Sequence, residues 1–152
     1  MTSYTASLGW QSDGNFQSGT YSRVHELRFD GGAVVRGSSS PHSVRIPWSD
    51  PAGVDPEEML VAAASACHML WFLFLAQREG LDVLRYTDDA VGTMGADQNG
   101  RAFIDRITLR PRIAFGGAAP AGDLLDRLHH AAHDKCYIAN SLRAEVVVEP
   151  VD

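Results

Sequence analysis

The sequence predicts an α+β fold in which a curved antiparallel β-sheet wraps around two central helices. Segments with the alternating pattern of strands lie on both sides of a long helical segment, and a second helix follows near the C-terminus. The long helix is apolar on every face, so other elements have to cover it. Strands before and after it in the chain can supply that cover. The 152 residues are expected to form a single domain, residues 1–152.

The stretch Asp55–Gly80 carries the start and stop signals of a helix. Asp55 suits the N-cap, and Glu58 follows it at the spacing of a capping box. Gly80 suits the left-handed residue that ends many helices. The run between these signals is almost uncharged and approaches the length of a short transmembrane span, but it has no interfacial basic flank, which favours a buried helix over a membrane-spanning one.

The other elements follow from alternation and from turn residues. The pair Asn99-Gly100 predicts a hairpin turn, and the break at residues 116–120 separates the last long strand from the second helix. The predicted strands are Tyr21–Phe29, Ala33–Arg36, Ser43–Pro47, Val83–Met94, Arg101–Phe115 and Glu145–Val151, and the second predicted helix is Gly122–Leu142.

Composition excludes several classes of function. The net charge is −6 and the basic residues are scattered, which argues against nucleic acid as a partner. The first residues have neither the basic nor the apolar region of a secretory signal, so we expect a cytoplasmic protein with no membrane anchor. No GxGxxG, Walker or GxSxG motif is present, and we predict no cofactor.

Two cysteines, Cys67 and Cys136, are both predicted to lie on apolar helix faces. They do not make a disulfide framework, and in a reducing cytosol such a pair is more often free, catalytic or redox-sensing. One interpretation is that each is a small buried hydrophobic residue. The other is that the two helices pack on each other and bring two reactive thiols together.

Arg23 and Glu57 are the charged groups that favour the second interpretation. Arg23 lies on the more apolar face of the first predicted strand, where a buried guanidinium needs an anionic partner. It would favour a thiolate at Cys67, while Glu57 holds its guanidinium. Glu57 alone would only compensate the helix dipole. Because about 15 Å of straight helix separates Glu57 from Cys67, the two can share a site only through a break near residues 62–65 or across two subunits.

Histidines offer two further possibilities. His68 directly follows Cys67 and is either a general base or a core histidine whose hydrogen bonds are satisfied. His133 and Cys136, with Cys67 and His68, make a conceivable zinc set, although neither pair has customary zinc-motif spacing.

Two motifs give the chain a resemblance to the OsmC/Ohr family of peroxide-reducing proteins. The segment DPEEMLVAAASAC, residues 55–67, is similar to the family's first-cysteine helix, and HDKCYIANSL, residues 133–142, is similar to its second-cysteine motif. The order of elements fits from about Tyr21 to the end. The resemblance implies an intertwined homodimer in which each subunit's sheet wraps the paired central helices.

The resemblance also implies a thiol peroxidase that reduces organic hydroperoxides in a stress response. Cys67 would be the peroxidatic thiolate and Cys136 the resolving thiol, with a redox-active disulfide between them. Glu57 matches the family's glutamate, and Arg23, with Arg28 as the alternative, matches its arginine. An external dithiol, such as that of a lipoylated protein, would reduce the disulfide.

This chain departs from the hydroperoxide-resistance branch at His68, where an aromatic residue is usual, and at Tyr137, where proline is common. The apolar side chains of residues 69–72 would favour an apolar peroxide if they line the pocket. The alternative function is a non-catalytic protein that binds a small apolar or lipid-like ligand in the same cleft.

Overall fold

The computed structural model describes residues 2–151. The chain forms two compact units, residues 1–59 and residues 60–152, and the division falls in the first turn of the long helix. Among these described residues, two α-helices and eight strands follow the general order expected from the sequence, strands, long helix, strands, helix and strand, which confirms the α+β class.

The N-terminal unit contains one antiparallel sheet with the order β1-β2-β3, made of Ala6–Gly9, His25–Phe29 and Val34–Gly37. The first of these strands was not predicted because four residues give too short a pattern. The second begins at His25 rather than at Tyr21. The strand predicted at Ser43–Pro47 is wrong: the backbone N–H groups of residues 43 and 44 donate to the Ser40 carbonyl and form a turn.

Helix α1, Pro56–Arg78, begins and ends as predicted. The Glu58 N–H donates to the Asp55 carboxylate at 2.8 Å, and the Asp55 N–H donates to the Glu58 carboxylate at 3.0 Å, which completes the capping box. Gly80 has φ +75° and its N–H donates to the Gln77 carbonyl, while the next N–H reaches back to Ala76. These two bonds satisfy carbonyls that the helix end would otherwise leave unpaired.

The prediction that α1 is buried on every face is wrong for the single chain. Its buried residues recur every fourth position and form one stripe: Ala64, His68, Phe72 and Ala76. The opposite stripe is exposed, and Leu70 and Phe74 on it are 62% and 48% accessible. By length and hydropathy α1 could cross a membrane, but its buried stripe instead packs within the C-terminal unit.

Five strands of the C-terminal unit form two small sheets rather than one continuous one. In chain order, β4 to β8 are Val83–Asp88, Val91–Ala96, Ala102–Leu109, Pro111–Phe115 and Glu145–Val148. β4 pairs with β7, and β6 lies between β5, which is antiparallel to it, and β8, which is parallel. Each long predicted strand is divided in two, because the Arg110 N–H donates to the Asp88 carboxylate at 2.6 Å where the chain breaks.

Helix α2, Gly122–Lys135, is shorter than the predicted Gly122–Leu142. It ends where Cys136 takes an extended conformation, with φ −68° and ψ 106°, and a single 3₁₀ turn, Ala139–Ser141, follows. The Asn140 side chain donates to the Asp134 carbonyl and supports this ending. Cys136 therefore lies at the end of a helix, in a change of chain direction, rather than within a helix.

Candidate active site

The two thiols meet in the C-terminal unit. Cys67 lies on α1 and is half-buried, whereas Cys136 at the end of α2 is only 1% accessible. Both are free, and they are close enough for Cys67 to raise the pKa of the Cys136 thiol. This proximity is what the reactive-pair interpretation requires.

The environment of Cys136 keeps it protonated. Burial is the main reason that its pKa is raised, to about 11, and the neighbouring Cys67 raises it further. The Ala139 N–H, 3.4 Å from the Cys136 sulfur, opposes part of this shift. The structure thus places a partly accessible thiol beside a buried one that holds its proton.

Aromatic rings adjoin the thiol pair. Trp71, one turn after Cys67, makes an edge-to-face contact at 5.7 Å with Tyr137, which follows Cys136. The Lys135 ammonium lies 5.6 Å from the Trp71 ring, and Tyr137 is 65% accessible. An apolar molecule that approaches the sulfur atoms from this side would meet aromatic surface.

Two of the apolar residues expected to line a pocket do not do so in this chain. Phe72 is fully buried among core residues, and Leu70 points away from the core on the exposed stripe. Of the four residues 69–72, Trp71 is the one whose contacts connect it to the segment that carries Cys136.

His68 is a core histidine rather than a general base. Its Nε2 lies 3.1 Å from Nδ1 of His129, and the two residues are 1% and 4% accessible. Burial and the neighbouring imidazoles lower the pKa of His68 to about 4, and burial likewise lowers the pKa of His129 to about 4. Both rings are therefore neutral at physiological pH. His129 was missed from the sequence, although its position seven residues before Cys136 places it on the same side of α2.

The zinc alternative finds no support in the geometry. Within residues 2–151, no three histidine, cysteine or carboxylate side chains converge closely enough to hold a metal ion.

Arg23 lies in the N-terminal unit and is held by neutral groups. Its Nη1 donates to the carbonyls of Tyr21 at 2.5 Å and Gly19 at 3.3 Å, and its guanidinium lies 3.7 Å from the centre of the Tyr21 ring. Glu57 is exposed, and among residues 2–151 no ion pair joins it to Arg23. The expected contact between the two is thus not made within this unit of the single chain.

The alternative arginine is already paired. Arg28 makes an ion pair with Glu26 at 2.5 Å, and its side chain is 62% accessible. An exposed pair of this kind contributes little to stability, and it leaves Arg28 on the outer part of the sheet. The partly buried Arg23 remains the better candidate.

Glu57 and Cys67 are separated along an unbroken helix. Helix α1 is continuous from Pro56 to Arg78, so the break considered at residues 62–65 is absent. Ten helical residues correspond to about 15 Å along the axis. If Glu57 serves a Cys67 site, the two residues have to come from different subunits.

A cavity of about 250 Å³ opens in the N-terminal unit beside Arg23. Three aromatic rings in mutual contact, with centroids 5.0–5.7 Å apart, form much of its wall. The lining residues are Leu8, Trp10, Phe16, Tyr21, Arg23, His25 and Ser39. Among residues 2–151, no acidic side chain lines the cavity, and the charged group in its wall is the guanidinium of Arg23.

The fold and the site define a class of small α+β proteins in which two helices bring two free thiols into contact. The sequence profile of the family described as "OsmC-like protein" matches residues 49–151. The chain therefore belongs to the OsmC-like family. No protein of curated function matches it.

Solved structures of the family superpose on nearly the whole chain. An OsmC-like protein of unknown function from Vibrio cholerae is 42% identical with a TM-score of 0.96, and the match covers 99% of this chain and 100% of that one. The organic hydroperoxide resistance protein OhrB of Bacillus subtilis has 15% identity and a TM-score of 0.68, covering 99% and 98%. An organic hydroperoxide resistance protein from Elizabethkingia anophelis has 18% identity and a TM-score of 0.67, and the match covers 98% of this chain and 95% of that one. The last two comparisons show a common fold.

The buried histidines predict a loss of stability in mild acid. The unfolded chain binds protons at histidine below about pH 6.5, whereas the folded pair resists protonation until about pH 4. Stability is thus complete above pH 6.5 and falls as the pH is lowered towards 4. The urea midpoint should decrease between pH 7 and pH 5, and less so in His68→Leu/His129→Leu. An identical decrease in both proteins would contradict this explanation.

Proposed function

We propose that this protein is a thiol peroxidase that reduces organic hydroperoxides to alcohols. The observation that carries the proposal is that two free thiols lie close together, Cys67 partly accessible and Cys136 buried. Family membership supports it, as does the fold shared with organic hydroperoxide resistance proteins. A cytosolic location would keep both thiols reduced between turnovers.

In the first step the Cys67 thiolate attacks the distal oxygen of the hydroperoxide. The O–O bond breaks, the alkoxide takes up a proton and leaves as the alcohol, and Cys67 becomes a sulfenic acid. Trp71 and Tyr137 offer apolar surface beside the sulfur atoms, which favours a peroxide with an apolar substituent over hydrogen peroxide.

In the second step the Cys136 sulfur attacks the Cys67 sulfur. The S–O bond breaks, and the hydroxide leaves as water with the proton that Cys136 had retained, so that a Cys67–Cys136 disulfide forms. An external dithiol, for which the lipoyl group of a lipoylated protein is our candidate, then restores both thiols and is itself oxidised to a disulfide.

Arg23 and Glu57 complete the proposed site in a homodimer. Arg23 would stabilise the Cys67 thiolate, and Glu57 would replace the carbonyl groups as the partner of its guanidinium. The apolar stripe that α1 leaves exposed supports the dimer, since a second copy can cover it: Ala62, Ala66, Leu70 and Phe74.

A non-catalytic binding protein is the alternative, and the aromatic cavity beside Arg23 favours it. A small apolar or lipid-like ligand would occupy that cavity without any reaction of the thiols. The two functions can be distinguished experimentally, because only the peroxidase requires Cys67 for its activity.

Turnover with cumene hydroperoxide and dithiothreitol should therefore depend on Cys67. Cys67→Ser should abolish consumption of the peroxide, because the nucleophile is gone. Cys136→Ser should still be oxidised at Cys67 but should form no disulfide between the two positions. Peroxide loss is followed by a ferrous-oxidation assay, with hydrogen peroxide as the comparison substrate. Undiminished turnover in Cys67→Ser would refute the peroxidase, and ligand retention without turnover in the parent would support the binding protein.

The role of Arg23 can be measured through the alkylation of Cys67. Arg23→Ala should slow the reaction with iodoacetamide at pH 7 at least tenfold, because the thiolate loses its neighbouring cation. Arg28→Ala is the matched control, since Arg28 lies on the adjoining strand and pairs with Glu26. An alkylation rate that drops in Arg28→Ala but not in Arg23→Ala would transfer the role to Arg28.

The proposed dimer should depend on the exposed stripe of α1. Leu70→Glu/Phe74→Glu places two carboxylates where apolar surface would be buried, so it should shift the sedimentation coefficient to that of a monomer. Gln98→Glu, at an exposed turn position outside the helix, is the control. A dimer unaffected by the double substitution would place the interface elsewhere.

A further inference from the structure

A hydrogen-bonded pair of histidines joins the two helices in the core beside the thiol pair. The bond runs between His68 Nε2 and His129 Nδ1 at 3.1 Å, and Phe72 stacks on His129 with ring centroids 4.5 Å apart. Both imidazoles are almost completely buried. The reaction steps proposed above use neither of them.

The histidine and thiol contacts together determine how α2 crosses α1. On α1, neighbouring residues Cys67 and His68 make the two contacts, whereas their partners are His129 on α2 and Cys136, seven residues later, directly after α2 ends. Along α1 the two contacting residues are about 1.5 Å apart, whereas their partners along α2 and its end are about 10 Å apart. The helices therefore cross steeply, with one contact near each end of the crossing.

The stability of the core does not account for the histidine pair. One proton occupies the bond, so each tautomer leaves one buried N–H and one bare nitrogen at His68 Nδ1 and His129 Nε2. Neither atom has a hydrogen-bond partner among residues 2–151. An unsatisfied buried polar group destabilises a core, and replacement of both partners by apolar groups can avoid that cost.

We propose that His68 and His129 are positioning residues, whose bond fixes the angle of α2 across α1 and thereby holds the Cys136 sulfur against that of Cys67. The inference rests on the proposed function in taking this dithiol as the reacting pair. The distance between the two sulfur atoms is sensitive to the angle of α2. A rotation of α2 by about 10° about His129 would move Cys136 by about 2 Å, given a lever arm of about 10 Å. Disulfide formation requires the sulfur atoms to approach to about 2 Å with a defined dihedral angle.

Thiol–disulfide exchange with glutathione tests the positioning without any peroxide. Protein dithiol and oxidised glutathione give the protein disulfide and two molecules of reduced glutathione, so the equilibrium reports how well the two thiols are held together. In His68→Leu/His129→Leu the equilibrium constant should decrease at least tenfold, which corresponds to a rise of about 30 mV in reduction potential. Mass spectrometry of the acid-quenched mixture measures the fraction of disulfide.

Conservative and control variants separate positioning from folding. His68→Gln places an amide nitrogen near the position of Nε2 and should restore most of the equilibrium constant. His130→Leu, on the exposed side of α2, should leave it unchanged. If the double leucine variant does not fold, the same equilibrium is measured in His68→Met/His129→Met, because the flexible methionine side chain can fill irregular gaps in a core. A folded apolar double variant with the parental equilibrium constant would overturn the proposal.

A peroxide arm keeps this inference distinct from the proposed function. With one equivalent of cumene hydroperoxide, the double variant should form the Cys67 sulfenic acid at nearly the parental rate. Disulfide formation should slow at least tenfold, so that dimedone traps more Cys67. Failure of the parent to react would refute the peroxidase but would leave the glutathione result as the measure of positioning.

Discussion

The crossing of α1 and α2 brings two sulfur atoms into contact in the C-terminal unit, and the proposed chemistry depends on that contact. Cys136 is buried and retains its proton, while Cys67 is the more accessible of the two. A buried thiol is a poor initial nucleophile, since only the thiolate attacks efficiently. The asymmetry of the pair therefore fits the proposed order, in which Cys67 is oxidised first and Cys136 condenses with it.

Two different groups of side chains surround the Cys67–Cys136 pair. On one side lie Trp71 and Tyr137, whose rings remain partly accessible and offer apolar surface to a substrate. On the other side lie the neutral imidazoles of His68 and His129, which make the polar link between the helices inside the core. In the proposed account, substrate contact and thiol geometry depend on different side chains, so each can be altered separately.

Local signals in the sequence predicted the fold well where a few neighbouring residues determine the backbone. The Asp55–Glu58 capping box and the left-handed Gly80 fix both ends of α1, and both were readable from residue type and spacing. The long strands were less predictable, because a hydrogen bond between Arg110 and Asp88, distant in sequence, divides them. The end of α2 depends on tertiary contacts at Cys136 in the same way.

The candidate site was predicted in part. The motifs that contain Cys67 and Cys136 indicated a thiol pair, and the structure brings the two together. No pattern identified His129 as the partner of His68, since the pairing depends on the crossing angle of two helices. Arg23 and Glu57 do not pair in the single chain, and a contact completed by a second subunit leaves no signal in local sequence.

The most direct measurement is mass spectrometry of the protein digested without reduction after one equivalent of cumene hydroperoxide. We predict a single new cross-linked peptide that joins Cys67 to Cys136 within one chain, formed in proportion to the alcohol released. Release of alcohol without this cross-link, or a disulfide that joins two chains through the same cysteine, would contradict the account.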